Sequence, residues 1–94
     1  MTDITLNCLI VPVGDFNDVQ CNAVHQAITI NTTQSVSVLI NAIRGRLGLN
    51  VELSIYQIRP GSIQEERMEP QDPISKFFGQ QPQAKFFHVT VYSR

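Results

Sequence analysis

Tryptophan is absent from this chain of 94 residues, cysteine and histidine occur only twice each, and charged residues make up 16% of it. Two cysteines cannot supply the four ligands of a structural zinc site and allow one disulfide at most. With a net charge of −1 and scattered basic residues, the chain has no extended basic surface of the kind that attracts nucleic acids or anionic membranes. We therefore expect neither as a partner.

The two cysteines differ in their surroundings. Cys8 falls in an apolar run, where a free thiol behaves as a small hydrophobic side chain, whereas Cys21 falls in a polar, loop-like stretch. Their spacing leaves open whether they form a disulfide. The apolar run at residues 8–11 is too short for a signal-peptide core or a membrane span, and no basic segment precedes it. No conventional secretion signal is therefore expected.

Alternating apolar residues predict four β-strands, at residues 4–13, 23–30, 51–59 and 84–92. Polar residues and Pro-Gly pairs separate them, and the acidic stretch 61–72 is predicted to be a loop. The first and last strands are the most apolar, so we place them at the centre of the sheet.

A helix is predicted from residue 35 to 47 because apolar side chains recur there on one face. We expect the Ser35 hydroxyl to cap its first turn and Gly48 to end it. A short helical turn is predicted at residues 74–78, with Asp72 as its cap. The apolar positions of the main helix are Val36, Leu39, Ile40, Ile43 and Leu47.

This order of elements predicts an α+β fold of the β-grasp (ubiquitin-like) type. Residues 1–94 form a single domain, in which a mixed four-stranded sheet packs on one main helix with a short second helical turn. The first and last strands then run parallel, and the strand at 23–30 lies at an edge of the sheet.

No catalytic or metal-binding constellation is recognisable in the sequence. His25 and His88 both fall on predicted strands, where an outward or locally satisfied side chain is the expected state. Neither cysteine has the base and orienting group that a nucleophile needs. The acidic residues of 61–72 resemble a solvated face and lack the glycine of a calcium loop. We expect no enzyme activity, no cofactor and no metal.

Four phenylalanines come in two adjacent pairs, at residues 77–78 and 86–87. In each pair, one ring is expected to point into the core and the other outward or against a neighbouring side chain. An exposed ring from either pair is a candidate anchor for a partner.

Several segments together resemble the N-terminal domain of the Crinkler effector family of filamentous fungi and oomycetes. Residues 4–11 are similar to the opening strand of fungal members, and 53–58 stands where the family has a Leu-x-Leu strand and its LFLAK-type signature. The apolar helix that opens at Ser35 is a further match. Residues 72–78 and 87–91 resemble the family's closing Ile-Ser-x-Tyr-Phe and His-Ile-x-Val patterns. At the LFLAK position, however, this chain reads Ile-Tyr-Gln-Ile-Arg.

The resemblance implies a non-catalytic, ubiquitin-like N-terminal domain of a secreted effector that is delivered to host cells and acts in delivery and protein–protein interaction. The alternative is a generic intracellular ubiquitin-like binding module located in the cytoplasm. A ubiquitin-type modifier is disfavoured because the sequence closes on Val-Tyr-Ser-Arg instead of a di-glycine tail.

Under either interpretation the expected partners are proteins, and we also expect a homodimer through the sheet edge at 23–30. The candidate interaction residues are Tyr56, Ile58 and Arg59 on the third strand, His25 on the edge strand and Phe16 in the loop after the first strand.

Overall fold

A computed structural model describes residues 3–11, 14, 24–48, 52–58, 64–83 and 85–93. Within these ranges it contains one α-helix, five strands and a short 3₁₀ helix. Their bounds are β1 Asp3–Ile10, β2 His25–Asn31, α1 Val36–Leu47, β3 Leu53–Ile58, β4 Glu65–Arg67, the 3₁₀ helix Ile74–Lys76 and β5 Val89–Ser93.

The five strands form one mixed sheet in the order β2-β1-β5-β3-β4. β1 and β5 run parallel at the centre and β2 lies at an edge, as the sequence predicted. The prediction of four strands was wrong, because the acidic stretch expected to be a loop contributes β4, which pairs antiparallel with β3. With only three residues, all exposed, β4 is too short and too polar to show an apolar alternation. The fold is therefore α+β, with a mixed five-stranded sheet and one α-helix.

The core lies between α1 and one face of the sheet. Alternate residues of β1 are buried on that face, and the stripe predicted for α1 packs against them. The buried apolar side chains are Ile4, Leu6, Cys8, Ile10, Ile28, Ile30, Val36, Leu39, Ile40, Ile43, Leu53, Ile55, Met68, Ile74, Phe78, Val89 and Val91. The opposite face of the sheet carries no helix among the described residues, and the candidate sites lie there.

Backbone carbonyls cap the first turn of α1. The N–H of Val36 donates to the carbonyl of Asp72 at 2.8 Å, and that of Ser37 donates to the carbonyl of Pro70 at 3.0 Å. The Ser35 hydroxyl, predicted to cap this turn, instead contacts the Ser37 hydroxyl at 2.7 Å. Because the segment before the 3₁₀ helix already satisfies these amides, the side-chain cap is not needed.

Of the other two predicted caps, one is confirmed and one is wrong. Gly48 ends α1 in the left-handed conformation, with φ at 68°, as predicted. Asp72 does not cap the 3₁₀ helix, since Pro73 stands at that position and no side chain caps it. The Asp72 carboxylate pairs with Lys76 at 3.2 Å instead.

β5 begins at Val89 and not at residue 84, so β1 is paired only with β2 at Thr5 and Asn7 and has no strand on its other side there. Two side chains take the place of that strand. The Gln81 amide accepts from the Thr5 N–H at 2.8 Å and donates to the Thr5 carbonyl at 2.9 Å. The His88 ring accepts from the Asn7 N–H at 2.9 Å. The connector between the 3₁₀ helix and β5 is thereby fixed against the centre of the sheet.

Candidate interaction surface

A pocket of about 220 Å³ lies on the helix-free face of the sheet, beside β2. Its lining consists of Asn7, His25, Lys85, Phe86 and Phe87, and we call it the Phe86–Phe87 pocket. This volume is below the roughly 300–1,000 Å³ of sites for drug-sized molecules. It suits a single side chain better than a free small-molecule ligand.

The walls of the pocket are held in place by specific contacts. The Asn7 side-chain amide donates to the Phe86 carbonyl at 3.0 Å, and His25 Nε2 donates to the Asn7 side-chain oxygen at 3.2 Å. The His25 and Phe87 rings meet edge to face, with centroids 5.2 Å apart. Lys85 Nζ lies 5.2 Å from the centroid of the Phe86 ring. The pocket thus joins β1, β2 and the connector.

Phe86 and Phe87 correct one prediction from the sequence. One of these rings was expected in the core, yet each is 36% exposed. They lie in the connector and not on a strand, so the alternation of faces does not apply to them. The other pair behaves closer to expectation, since Phe78 is buried and Phe77 is only partly buried against the core.

His88 anchors the segment that carries these two rings. Its Nδ1 accepts from the Asn7 N–H, and its Nε2 donates to the Gln83 carbonyl at 2.7 Å. The side chain is 3% exposed and meets Phe78 edge to face, with centroids 6.3 Å apart. These bonds require the neutral Nε2–H tautomer. His88 is therefore the locally satisfied histidine that the sequence predicted, and it positions the pocket.

The predicted residues His25 and Tyr56 share one row across the helix-free face. The strand register pairs His25 with Leu9, Leu9 with Thr90, and Thr90 with Tyr56. Three strand spacings separate the two ends of this row, a distance of about 14 Å. The structure therefore places His25 and Tyr56 on the same face without bringing them into contact.

Tyr56 and Ile58 are half-buried on the same face of β3. The Tyr56 ring meets Tyr92 edge to face, with centroids 5.4 Å apart. Arg59, the third predicted residue of this surface, and Phe16 in the loop after β1 lie outside the described residues, as does Cys21.

Glu65 closes the surface around Tyr56 by reaching over β3. Its carboxylate accepts from the Tyr92 hydroxyl at 2.8 Å and from the Thr90 hydroxyl at 3.0 Å. The hydrogen bond to Glu65 is the main reason why the pKa of Tyr92 is raised above its ordinary value. Glu65 was expected on a solvated loop, but it links β4 to β5. These polar groups satisfy one another, which indicates a stabilising role.

Cys8 is a free thiol in the core, and burial raises its pKa from 9.0 to about 12. Such a thiol stays protonated near neutral pH and is a poor nucleophile. Among the described residues no group of three or more histidine, cysteine, aspartate or glutamate side chains is arranged to hold a metal ion.

The outer edge of β2 is the second feature of this surface. The Ile10 N–H donates to the Val24 carbonyl at 2.7 Å, which shows that even-numbered residues of this segment direct their backbone groups toward β1. His25, Ala27 and Thr29 therefore direct theirs outward, and no described residue pairs with them. All three residues are exposed.

The sequence indicated some of these residues and missed others. His25 was predicted, and the exposure of one ring at residues 86–87 was expected. Asn7 and Lys85 were not predicted. The sequence signal for them is faint: Lys85 directly precedes the Phe-Phe pair, and Asn7 is a polar residue in one of the two strands predicted at the centre of the sheet.

Neither protein-family models nor curated proteins give a match to this chain. Of the helices in the described ranges, none has the length and apolar character needed to cross a membrane.

Proposed function

We propose that this chain is a non-catalytic β-grasp, ubiquitin-like domain that binds other proteins by accepting an extended segment at the outer edge of β2. The observation that carries the proposal is the row of outward backbone groups at His25, Ala27 and Thr29. An added strand gains affinity from such groups by forming main-chain hydrogen bonds.

The contrast between the two sheet edges supports this choice of surface. β2 spans seven residues and contains no lysine, arginine, aspartate or glutamate. β4, at the opposite edge, spans three residues with the sequence Glu-Glu-Arg. Short length and charge are the usual means by which a sheet edge avoids unwanted pairing. β4 has both protections and β2 has neither.

The experiment selects peptides from a displayed random library against the folded domain and maps their binding by amide hydrogen exchange. We expect protection of the outward amides of His25, Ala27 and Thr29. Methylating alternate backbone nitrogens of a selected peptide removes the donors it offers to β2, so binding is expected to disappear without any change to the protein. Protection confined to α1 or β4 would refute the proposal.

A variant pair tests the same point from the side of the protein. Ala27→Pro removes an outward donor and leaves the hydrogen bonds between β1 and β2 in place, because Ala27 does not contribute to them. Ala27→Ser keeps the donor and a small side chain, and it is the matched control. We expect Ala27→Pro to lose binding and Ala27→Ser to keep it.

Homodimerisation is a second candidate function of the same edge, and the uncharged sequence of β2 favours it. Two copies of β2 would pair antiparallel about a two-fold axis. Light scattering after size exclusion is expected to show a dimer fraction that grows with concentration and is absent from Ala27→Pro. A strict monomer at high concentration would refute dimerisation and leave the edge free for another protein.

The resemblance to the N-terminal domains of Crinkler effectors supports a more specific proposal, in which this domain belongs to a secreted effector and assists its delivery to host cells. A reporter fused behind the chain and expressed in a filamentous fungus that colonises a host tests it. We expect the reporter inside host cells. Retention of the reporter in the hyphae would favour the generic intracellular binding module.

A further inference from the structure

The Phe86–Phe87 pocket lies where side chains of a strand added to β2 would point. Ala27 is opposite Asn7 in the register of β1 and β2, and both side chains lie on the helix-free face. Ala27 has a small side chain, so little separates an added strand from the Asn7 wall of the pocket. The pocket lies one to two strand spacings away, about 5–10 Å, within reach of a long side chain.

The lining indicates what that side chain should be. Phe86 and Phe87 offer two partly exposed rings, and His25 closes one side against Phe87. Among the described residues of the lining, Lys85 is the one with a full charge, and none carries a carboxylate. An apolar side chain accompanied by a negative charge matches this combination.

We propose that the pocket anchors one aromatic or large aliphatic side chain of the strand added to β2, and that an Asp or Glu two residues away on that strand pairs with Lys85. The spacing follows from the strand, since residues i and i+2 lie on the same face. The inference rests on the proposed function, because it takes the edge of β2 as the docking site and adds the specificity.

The probe is the peptide acetyl-Thr-Glu-Thr-Phe-Thr-Glu-Thr-amide, which presents phenylalanine and two flanking glutamates on one face. Titration into the ¹⁵N-labelled domain, followed by NMR, gives the affinity and the site. Replacing the peptide phenylalanine by alanine is expected to weaken binding about tenfold, the effect of losing one buried aromatic side chain. Replacing both glutamates by lysines should weaken it about threefold, an effect that salt screens.

Protein variants complete the test. Phe87→Ala is expected to remove the preference for the phenylalanine peptide, and Lys85→Glu is expected to reverse the preference between glutamate and lysine peptides. Val38→Ala and Arg46→Glu alter an exposed valine and an exposed arginine on α1, and they are the matched controls. Neither control should change the affinities.

The outcomes separate the pocket from the edge. If the phenylalanine and alanine peptides bind equally while the outward amides of β2 are protected, the pocket inference is overturned and the proposed function stands. If no peptide of the series shifts the resonances of Phe86 and Phe87 up to millimolar concentration, the inference is again overturned. The library selection then decides the proposed function independently.

Discussion

Removing the imidazole of His88 is the strongest test of whether this side chain fixes the connector that carries Phe86 and Phe87. The ring accepts from the Asn7 N–H at 2.9 Å and donates to the Gln83 carbonyl at 2.7 Å, and it is 3% exposed. His88→Leu fills a similar space but leaves both partners unsatisfied. At about 1–2 kcal/mol for each part-buried polar group, the free energy of unfolding should fall by about 2–4 kcal/mol.

A second variant separates the two hydrogen bonds. In His88→Asn, the side-chain oxygen stands near the position of Nδ1, so it can accept from the Asn7 N–H but cannot reach the Gln83 carbonyl. We expect about half the loss of His88→Leu. For a domain of this size, whose total stability is on the order of 5–14 kcal/mol, both differences are measurable by urea denaturation.

Long-range ¹H–¹⁵N NMR correlations of the imidazole report the tautomer directly, and we expect His88 with hydrogen on Nε2. Because His88 holds the connector in place, His88→Asn should also lower the affinity for the phenylalanine peptide, while the outward amides of β2 remain available for pairing. A proton on Nδ1, or a His88→Leu variant as stable as the wild type, would refute this account of the connector.

Three further predictions concern side chains away from the pocket. The pKa of Cys8 is raised from 9.0 to about 12, so its contribution to stability is complete below pH 9 and is lost as pH rises toward 12. Urea denaturation at several pH values in this range should show that the free energy of unfolding falls more steeply with pH for the wild type than for Cys8→Ala. Equal dependence on pH in the two proteins would contradict the burial of the thiol. Tyr92→Phe removes the hydrogen bond to Glu65 and should lower the free energy of unfolding by about 1 kcal/mol. Tyr56→Phe is its control, since the Tyr56 hydroxyl has no partner among the described residues, and an equal loss in both would contradict the assignment. The Gln57 side-chain oxygen is buried and unpartnered within the described chain. The Gln57 side-chain nitrogen donates to the Phe77 carbonyl at 2.8 Å, so Gln57→Met loses this bond but also removes the unpartnered oxygen. Because the two effects oppose each other, Gln57→Met should stay within about 1 kcal/mol of the wild type in thermal unfolding, whereas Gln57→Glu should be less stable and recover as pH falls. A Gln57→Glu variant that is insensitive to pH would show that the site is hydrated.

Local periodicity was sufficient to predict the main elements of the fold. Apolar residues are buried at alternate positions in β1, β2 and β3 and at helical spacing in α1. Such a pattern can be recognised within a short stretch of sequence. β4 could not be predicted in the same way, because its residues are all polar and it is held by pairing with β3 and by Glu65.

The connector shows why the pocket was missed. Its position depends on Gln81 binding the backbone of Thr5, two residues that are 76 positions apart in the sequence. No local sequence pattern indicates that a glutamine side chain will take the place of a strand beside β1. The continuous alternation from Phe86 to Tyr92 instead predicted a strand that begins too early, which assigned one phenylalanine of the pair to the core.

The connector and β2 give one explanation for an otherwise unfavourable surface. A domain selected only to remain a stable monomer would gain from a charged residue in β2 and would bury Phe86 or Phe87, since an unprotected edge and exposed rings both promote association. This chain does neither, although it places charges along β4. His25 belongs to both features, because its backbone faces the open edge while its ring forms a wall of the pocket. An added strand would therefore contact the edge and the pocket at the same time. Binding of such a strand explains why both features remain exposed.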